Sequence, residues 1–416
     1  MEPLLILAFL VALYMAWNIG ANDVANAFGT PVGSGAITFR WAMILAAIFE
    51  FSGAFFAGAE VTDTIRGDIV HPAVFAAQPM VFAIGMMAAL LGASIWLNVA
   101  TYLSQPVSTT HAIIGAVIGF GLVAAGPSAI QWHKMGGIAS SWVISPLVGA
   151  LFSFLIYHGL LRHVLHHAKP IARSQIAVPL GLGAMTCVMF YSVLQGYYPR
   201  ALHIEKAQGC WLAAGTAVVM ANLIGVVVWA IMKRRCNPDK PLSEHSADVE
   251  RFFSRVQVMD ACYLSFAHGA NDVANAVGPV VGIMQGLRGS VATAAPIPAW
   301  VLALGGFGIV LGLATYGYKV LEAVGRKITE VTPTRGFAAE FSTATTVLVC
   351  SLLGLPVSTT FVLVGAIMGV GLARGFGAID LRVVRRIFAS WVVTLPISAL
   401  LSAGLFILLR KIFIGT

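Results

Sequence analysis

The chain has 416 residues, of which 58% are hydrophobic and 10% charged, and its mean hydropathy is +0.87. A soluble domain carries roughly a quarter charged residues, so this composition excludes the ordinary soluble classes. The net charge of +8 points to basic membrane loops rather than to nucleic acid. The five cysteines (Cys187, Cys210, Cys236, Cys262, Cys350) form no CxxC pair, which supports neither a disulfide framework nor a zinc site.

In chain order, twelve apolar segments are predicted: 4–28, 41–59, 79–104, 107–124, 137–161, 176–198, 209–232, 256–281, 299–318, 337–354, 357–373 and 387–409. The start, MEPLLILAFL, has no basic n-region and no small-residue cleavage site, so it reads as a retained first helix. Segments 107–124 and 357–373 are short and Gly-rich. They read either as re-entrant half-helices or as full crossings.

When loops are assigned to alternate sides, most of the 25 Lys and Arg residues collect on one side. That side holds Arg40, Arg162, Lys169, Arg173, the polar linker from Lys233 to Arg255, and the loops around Lys319–Arg335 and Arg374–Arg386. The richer side is expected to be cytoplasmic, which puts both termini outside. Residues 1–161 and 256–416 are expected to form two transmembrane repeats, joined by connecting helices and the linker in 162–255.

Two polar signatures occur twice, about 250 residues apart. GANDVANA stands at 20–27 and 269–276, and PVSTT at 106–110 and 356–360. With the loop assignment above, the two GANDVANA helices enter the membrane from opposite sides. That is the inverted-topology arrangement of many secondary transporters, with broken helices at a midplane site.

Each GANDVANA copy puts polar groups where a bilayer makes them expensive. On a helix Asn22 and Asn26 share a face with Asp23 beside them, and Asn271, Asp272 and Asn275 repeat the arrangement. Carboxylate and amide oxygens are hard donors suited to a hard cation such as sodium. Flanking glycines (Gly20, Gly29, Gly269, Gly278) would permit local unwinding. The bland alternative is hydrogen bonding between helices.

PVSTT reads as a helix start with proline in the first turn. Free N–H groups and the hydroxyls of Ser108, Thr109, Thr110, Ser358, Thr359 and Thr360 would then form an anion site without Lys or Arg. A kinked helix whose hydroxyls bond back to the backbone is the competing reading. Glu50 and Glu340 lie inside apolar segments and are coupling candidates, as are Gln105 and His111 beside the first PVSTT. Oppositely charged ions in adjacent low-dielectric pockets would hold each other, which is a basis for coupled transport.

These motifs resemble those of the inorganic phosphate transporter (PiT) family, together with FEFSGAFFAG, TIRGDI, FAHGANDVANA and AAEFSTATTVLVCSLLGLPVSTT. The resemblance spans nearly the whole chain. It implies a cation-coupled phosphate symporter, an all-α polytopic fold and a homodimer in the plasma (inner) membrane. It makes Asn22, Asp23, Asn26, Asn271, Asp272 and Asn275 cation ligands and the two Ser-Thr-Thr runs phosphate ligands. It also links Glu50 and Glu340 to transport. Where many members carry His after the second PVSTT, this chain has Phe361.

The expectation is therefore sodium–phosphate symport by alternating access, with sodium as a transported co-substrate and no cofactor or nucleic acid. The alternatives are a proton-coupled phosphate or sulfate permease and a passive anion channel. An intramembrane hydrolase would need a nucleophile–base pair, and Thr110-His111 has no orienting partner in the sequence.

Overall fold

A computed structural model describes residues 2–23, 25–102, 107–235, 242–291, 296–317, 332–375 and 381–415. Gln105 and Pro106 lie outside the described residues, so the coupling candidate Gln105 is not placed. The described residues are helical, and the one pairing of extended backbone is an isolated bridge between Val70 and Ile130. Among the described residues, eight helices are long and apolar enough to cross a membrane, which makes the chain a multi-pass membrane protein.

The helices are α1 (Glu2–Asp23), α2 (Ala25–Gly33), α3 (Phe39–Ala57), α4 (Ala59–Gly67), α5 (Pro79–Tyr102), α6 (Thr109–Ala125) and α7 (Trp132–Leu160). They continue with α8 (Pro170–Leu202), α9 (Lys206–Arg235), α10 (Leu242–Leu287), α11 (Ala299–Gly312), α12 (Pro333–Leu352), α13 (Thr359–Arg374) and α14 (Leu381–Phe413). Each of the twelve expected segments overlaps one or two of these helices: 4–28 divides between α1 and α2, and 41–59 runs from α3 into the start of α4. Helices α6 and α13 span 17 and 16 residues. At 1.5 Å per residue they are about 25 Å long, short of a hydrocarbon layer of about 30 Å.

Helix α10 is the axis of the bundle. It is buried on all sides from Ala261 to Met284 and packs against α1, α3, α4, α5 and α12. A helix enclosed by protein can carry polar groups that a lipid-facing helix cannot, provided they find partners. It begins at Leu242, so much of the polar stretch between 233 and 255 is its first turns rather than an extended linker.

The repeat seen in the sequence reappears as duplicated close contacts. Gly20 of α1 lies against the backbone of Ile309 on α11, and Gly269 of α10 lies against the backbone of Glu50 on α3. Gly115 and Gly119 of α6 meet the carbonyls of Leu395 and Ala399 on α14. In the same way, Gly365 and Gly369 of α13 meet those of Pro146 and Ala150 on α7. At each of these positions a Cβ would collide with backbone, which cannot swing aside as a side chain can.

Two local expectations change. α10 runs unbroken through Gly269–Ala276, so the second motif is not unwound. Its Gly269 and Gly278 serve the approach of α3 and α4, where Glu50 and Ile65 leave no room for a side chain. The proline of the second PVSTT is also not in the first helical turn, because α13 starts at Thr359 with Ser358 as N-cap and Pro356 two residues earlier. Proline favours extended backbone in the residue before it, and Ser358 is itself extended, with φ −87 and ψ 110. Gly354, with φ +67, makes the preceding turn, and Leu355 N–H closes it on Cys350 O at 2.8 Å.

Candidate functional site: a buried carboxylate–histidine cluster between two helix starts

The two signatures meet crosswise. The first GANDVANA copy touches the second Ser-Thr-Thr turn. Asn26 Nδ2 donates to Thr360 Oγ1 at 3.0 Å, and Thr360 Oγ1 lies 3.5 Å from Asp23 Oδ1. The second copy touches the first turn. Thr109 Oγ1 donates to Asp272 Oδ2 at 3.3 Å, and Asn275 Nδ2 lies 3.5 and 3.4 Å from the hydroxyls of Thr109 and Thr110. Each acidic motif therefore contacts the Ser-Thr-Thr helix start of the opposite half.

Local structure aims these groups. On α10, His268, Asn271, Asp272 and Asn275 follow the i, i+3, i+4, i+7 spacing of one helix face. Ser108 caps α6, its Oγ accepting from His111 N–H at 3.2 Å. That leaves the N–H groups of Thr109 and Thr110 without partners from within the helix, at the positive end of its dipole.

His268 joins the halves. Its Nδ1 lies 2.9 and 2.8 Å from the two Glu50 oxygens, and its Nε2 lies 2.9 Å from Asp272 Oδ2 and 3.7 Å from Asp23 Oδ2. Three carboxylates, all buried, thus surround one imidazole. The ring and one oxygen each from Asp23 and Asp272 lie within 4.8 Å of one another, a spacing that fits a bound ion. Asp272 Oδ1 and Asn275 Oδ1 are buried with no hydrogen-bond partner among the described residues. Orphaned acceptors of this kind are costly unless something positive satisfies them. The donor set is dominated by oxygen, which suits a hard monovalent or divalent cation better than a soft metal.

The sequence candidates divide by position. Asp23, Asn26, Asp272, Asn275, Thr109, Thr110, Thr360 and Glu50 converge. Asn22 is half-buried and donates to Asp23 Oδ1 at 3.3 Å. Asn271 braces the second turn: it donates to Ser351 Oγ at 2.9 Å and Leu355 O at 3.3 Å, and its Oδ1 accepts from Val357 N–H at 3.3 Å. Thr359 lines a cavity with Asp23, Asn26, His268 and Thr343 that has room for about one water molecule. Ser358 is the buried cap of α13. His111 is fully buried between Trp142 and Phe361, with its Nδ1 2.7 Å from Ser108 Oγ. Glu340 stands apart from the His268 group. It accepts from Thr30 and lies beside Gln257 and Asp260, two fully buried side chains of α10.

His268, Asp260, Gln257 and Thr343 were not singled out from the sequence. One signal was available: the first GANDVANA is preceded by Ile19, the second by His268, so the repeats differ where the charge cluster needs its one imidazole.

A helical membrane protein whose duplicated polar motifs meet in its buried core, around three carboxylates and one histidine, has the make-up of a solute transporter. The phosphate transporter family matches residues 19–402, and the chain belongs to that family. It is 45% identical over 408 residues to a Thermococcus kodakarensis protein named "Putative phosphate permease", covering 98% of each chain. It is 44% identical over 416 residues to the Arabidopsis thaliana "Inorganic phosphate transporter 2-1, chloroplastic", covering 94% of this chain and 70% of that one. A solved structure described as "The sodium-dependent phosphate transporter" superposes with a TM-score of 0.90 at 40% identity, covering 99% of this chain and 100% of the other. The chain is a transporter, and the family resemblance read from its motifs holds.

Proposed function

We propose that this protein is a secondary active symporter that moves inorganic phosphate with sodium by alternating access. The crosswise pairing carries the proposal: each Ser-Thr-Thr helix start faces an Asp–Asn pair, and Asp272 Oδ1 and Asn275 Oδ1 have no partner among the described residues. Sodium ions held by Asp23, Asn26, Asp272 and Asn275 would neutralise a cluster that otherwise repels an anion. Phosphate would then sit on the hydroxyls and N–H groups of Thr109, Thr110, Thr359 and Thr360. In this scheme cations bind first, because three buried carboxylates oppose a bare phosphate.

The cavity admits about one water molecule, so phosphate entry requires the helices bearing the two halves to part. Glu340, with Asp260 beside it, is proposed as a second acidic station for the coupling ion. Inverted repeats, extracytoplasmic termini, a cytoplasmic linker and a homodimer complete the reading.

Labelled phosphate uptake into proteoliposomes, with sodium and proton gradients imposed separately and sulfate as competitor, tests it. Uptake driven by sodium alone and resistant to sulfate is expected. Uptake that ignores sodium would overturn the coupling. Equal competition by sulfate would overturn the substrate.

A further inference from the structure

Helices α8 and α9 form a hairpin at the edge of the bundle. Only 11% of the membrane-crossing window of α9 is buried. Between the two helices runs an open apolar groove of about 530 Å³, walled by Ile176, Pro179, Leu180, Val218, Val226 and Trp229. On α8 it extends from Gln175 to Cys187, about 18 Å at 1.5 Å per residue, close to the depth of one leaflet. Leu180 and Val226 on its walls are 68% and 63% exposed, so the groove opens outward rather than into the core.

Both walls end in a cation at the same end. Arg173 precedes Ile176 and Leu180 by three and seven residues, which puts it on the groove face of α8. Lys233 follows Trp229 by four residues on α9, and its Nζ lies 4.9 Å over the Trp229 ring. Because α8 starts where α9 finishes, the two cations flank one mouth, with Lys169 and Arg234 close by in sequence. From Trp132 to Arg235 the sole acid is Glu205, at the opposite end of the hairpin. Arg255 of α10 lines the neighbouring cavity together with Met232 and adds further positive charge at that end.

We propose that this groove seats an anionic phospholipid, with one acyl chain along α8 and α9 and its phosphate held by Arg173 and Lys233. The match of groove depth to one leaflet and of a basic mouth to an anionic headgroup selects this occupant. Basic pockets between membrane helices recognise anionic headgroups, and each basic side chain near the surface contributes about 1 kcal/mol, or about fivefold in affinity.

Bromine on a lipid acyl chain quenches a tryptophan it touches. The full chain is placed in nanodiscs of phosphatidylcholine with a minor share of phosphatidylglycerol, and bromine is carried on one lipid or the other. The Trp229 signal is the difference between wild type and Trp229→Phe. Brominated phosphatidylglycerol is expected to quench it many-fold more per molecule than brominated phosphatidylcholine. Arg173→Gln with Lys233→Gln should lower that preference by roughly 25-fold, two fivefold losses, while added free phosphate changes nothing. Equal quenching by both lipids, a preference that survives the double substitution, or loss of the preference on adding inorganic phosphate overturns the proposal.

Discussion

Replacing His268 by Gln strikes the point where the two halves meet. The imidazole contacts Glu50 at 2.8 Å and Asp272 at 2.9 Å through opposite nitrogens, and a glutamine amide can preserve one of these contacts. A hydrogen bond to a charged group is worth about 1.5–3 kcal/mol. Removing the ring also leaves Asp23, Glu50 and Asp272 with no basic group between them, and two unit charges about 4 Å apart interact by about 4 kcal/mol at an effective dielectric of about 20. A loss of about 3 kcal/mol expressed in the transport transition is a rate decrease of about 100-fold. Labelled-phosphate uptake by reconstituted His268→Gln should fall by that order. The purified variant should melt lower in choline chloride than wild type. Sodium chloride should restore more stability to it than to wild type, because a bound cation takes over the compensation of charge. Unchanged uptake, or a variant whose melting is the same in both salts, would refute the role given to His268.

Asp23→Asn and Asp272→Asn should each reduce sodium-driven uptake by at least an order of magnitude, since a buried carboxylate paired with a cation is worth several kcal/mol. Full phosphate flux in both variants would instead favour a passive channel. Thr109→Val and Thr360→Val keep the side-chain shape and remove one hydroxyl each, so KM for phosphate should rise about tenfold while the folded yield stays near wild type. Asn271→Ala removes three hydrogen bonds, one to Ser351 at the end of α12 and two to the turn before α13, and its thermal midpoint should fall by the equivalent of about 1–3 kcal/mol. Gly269→Val places a branched side chain against the Glu50 backbone. The folded fraction in detergent should fall sharply, as overpacking costs about 1–3 kcal/mol or more where backbone must move.

Hydropathy alone located the apolar run around each motif, because a bilayer requires long apolar runs whose backbone bonds close within the segment, but it joined α1 and α2 into one segment. Helix ends were less legible. Pro356 suggested a helix start, but the structure starts α13 three residues later, at Thr359, with Ser358 still in extended backbone. Glycines beside GANDVANA suggested unwinding, whereas Gly269 and Gly278 are contact points for α3 and α4. Sequence cannot separate a glycine that bends a helix from one that admits a neighbour, since both need the same missing Cβ.

What the sequence determined by itself was the chemistry: two acidic-amide motifs, two hydroxyl-rich helix starts, and a membrane setting that forces such groups to pair. Only tertiary structure decided the partners. It crosses the motifs, so that Asp23 meets Thr360 and Asp272 meets Thr109, and it inserts His268 between Asp23, Glu50 and Asp272. The reason is physical. Composition and spacing fix which face of one helix a residue occupies, but which helices touch is set by close approach at glycines far apart in the chain.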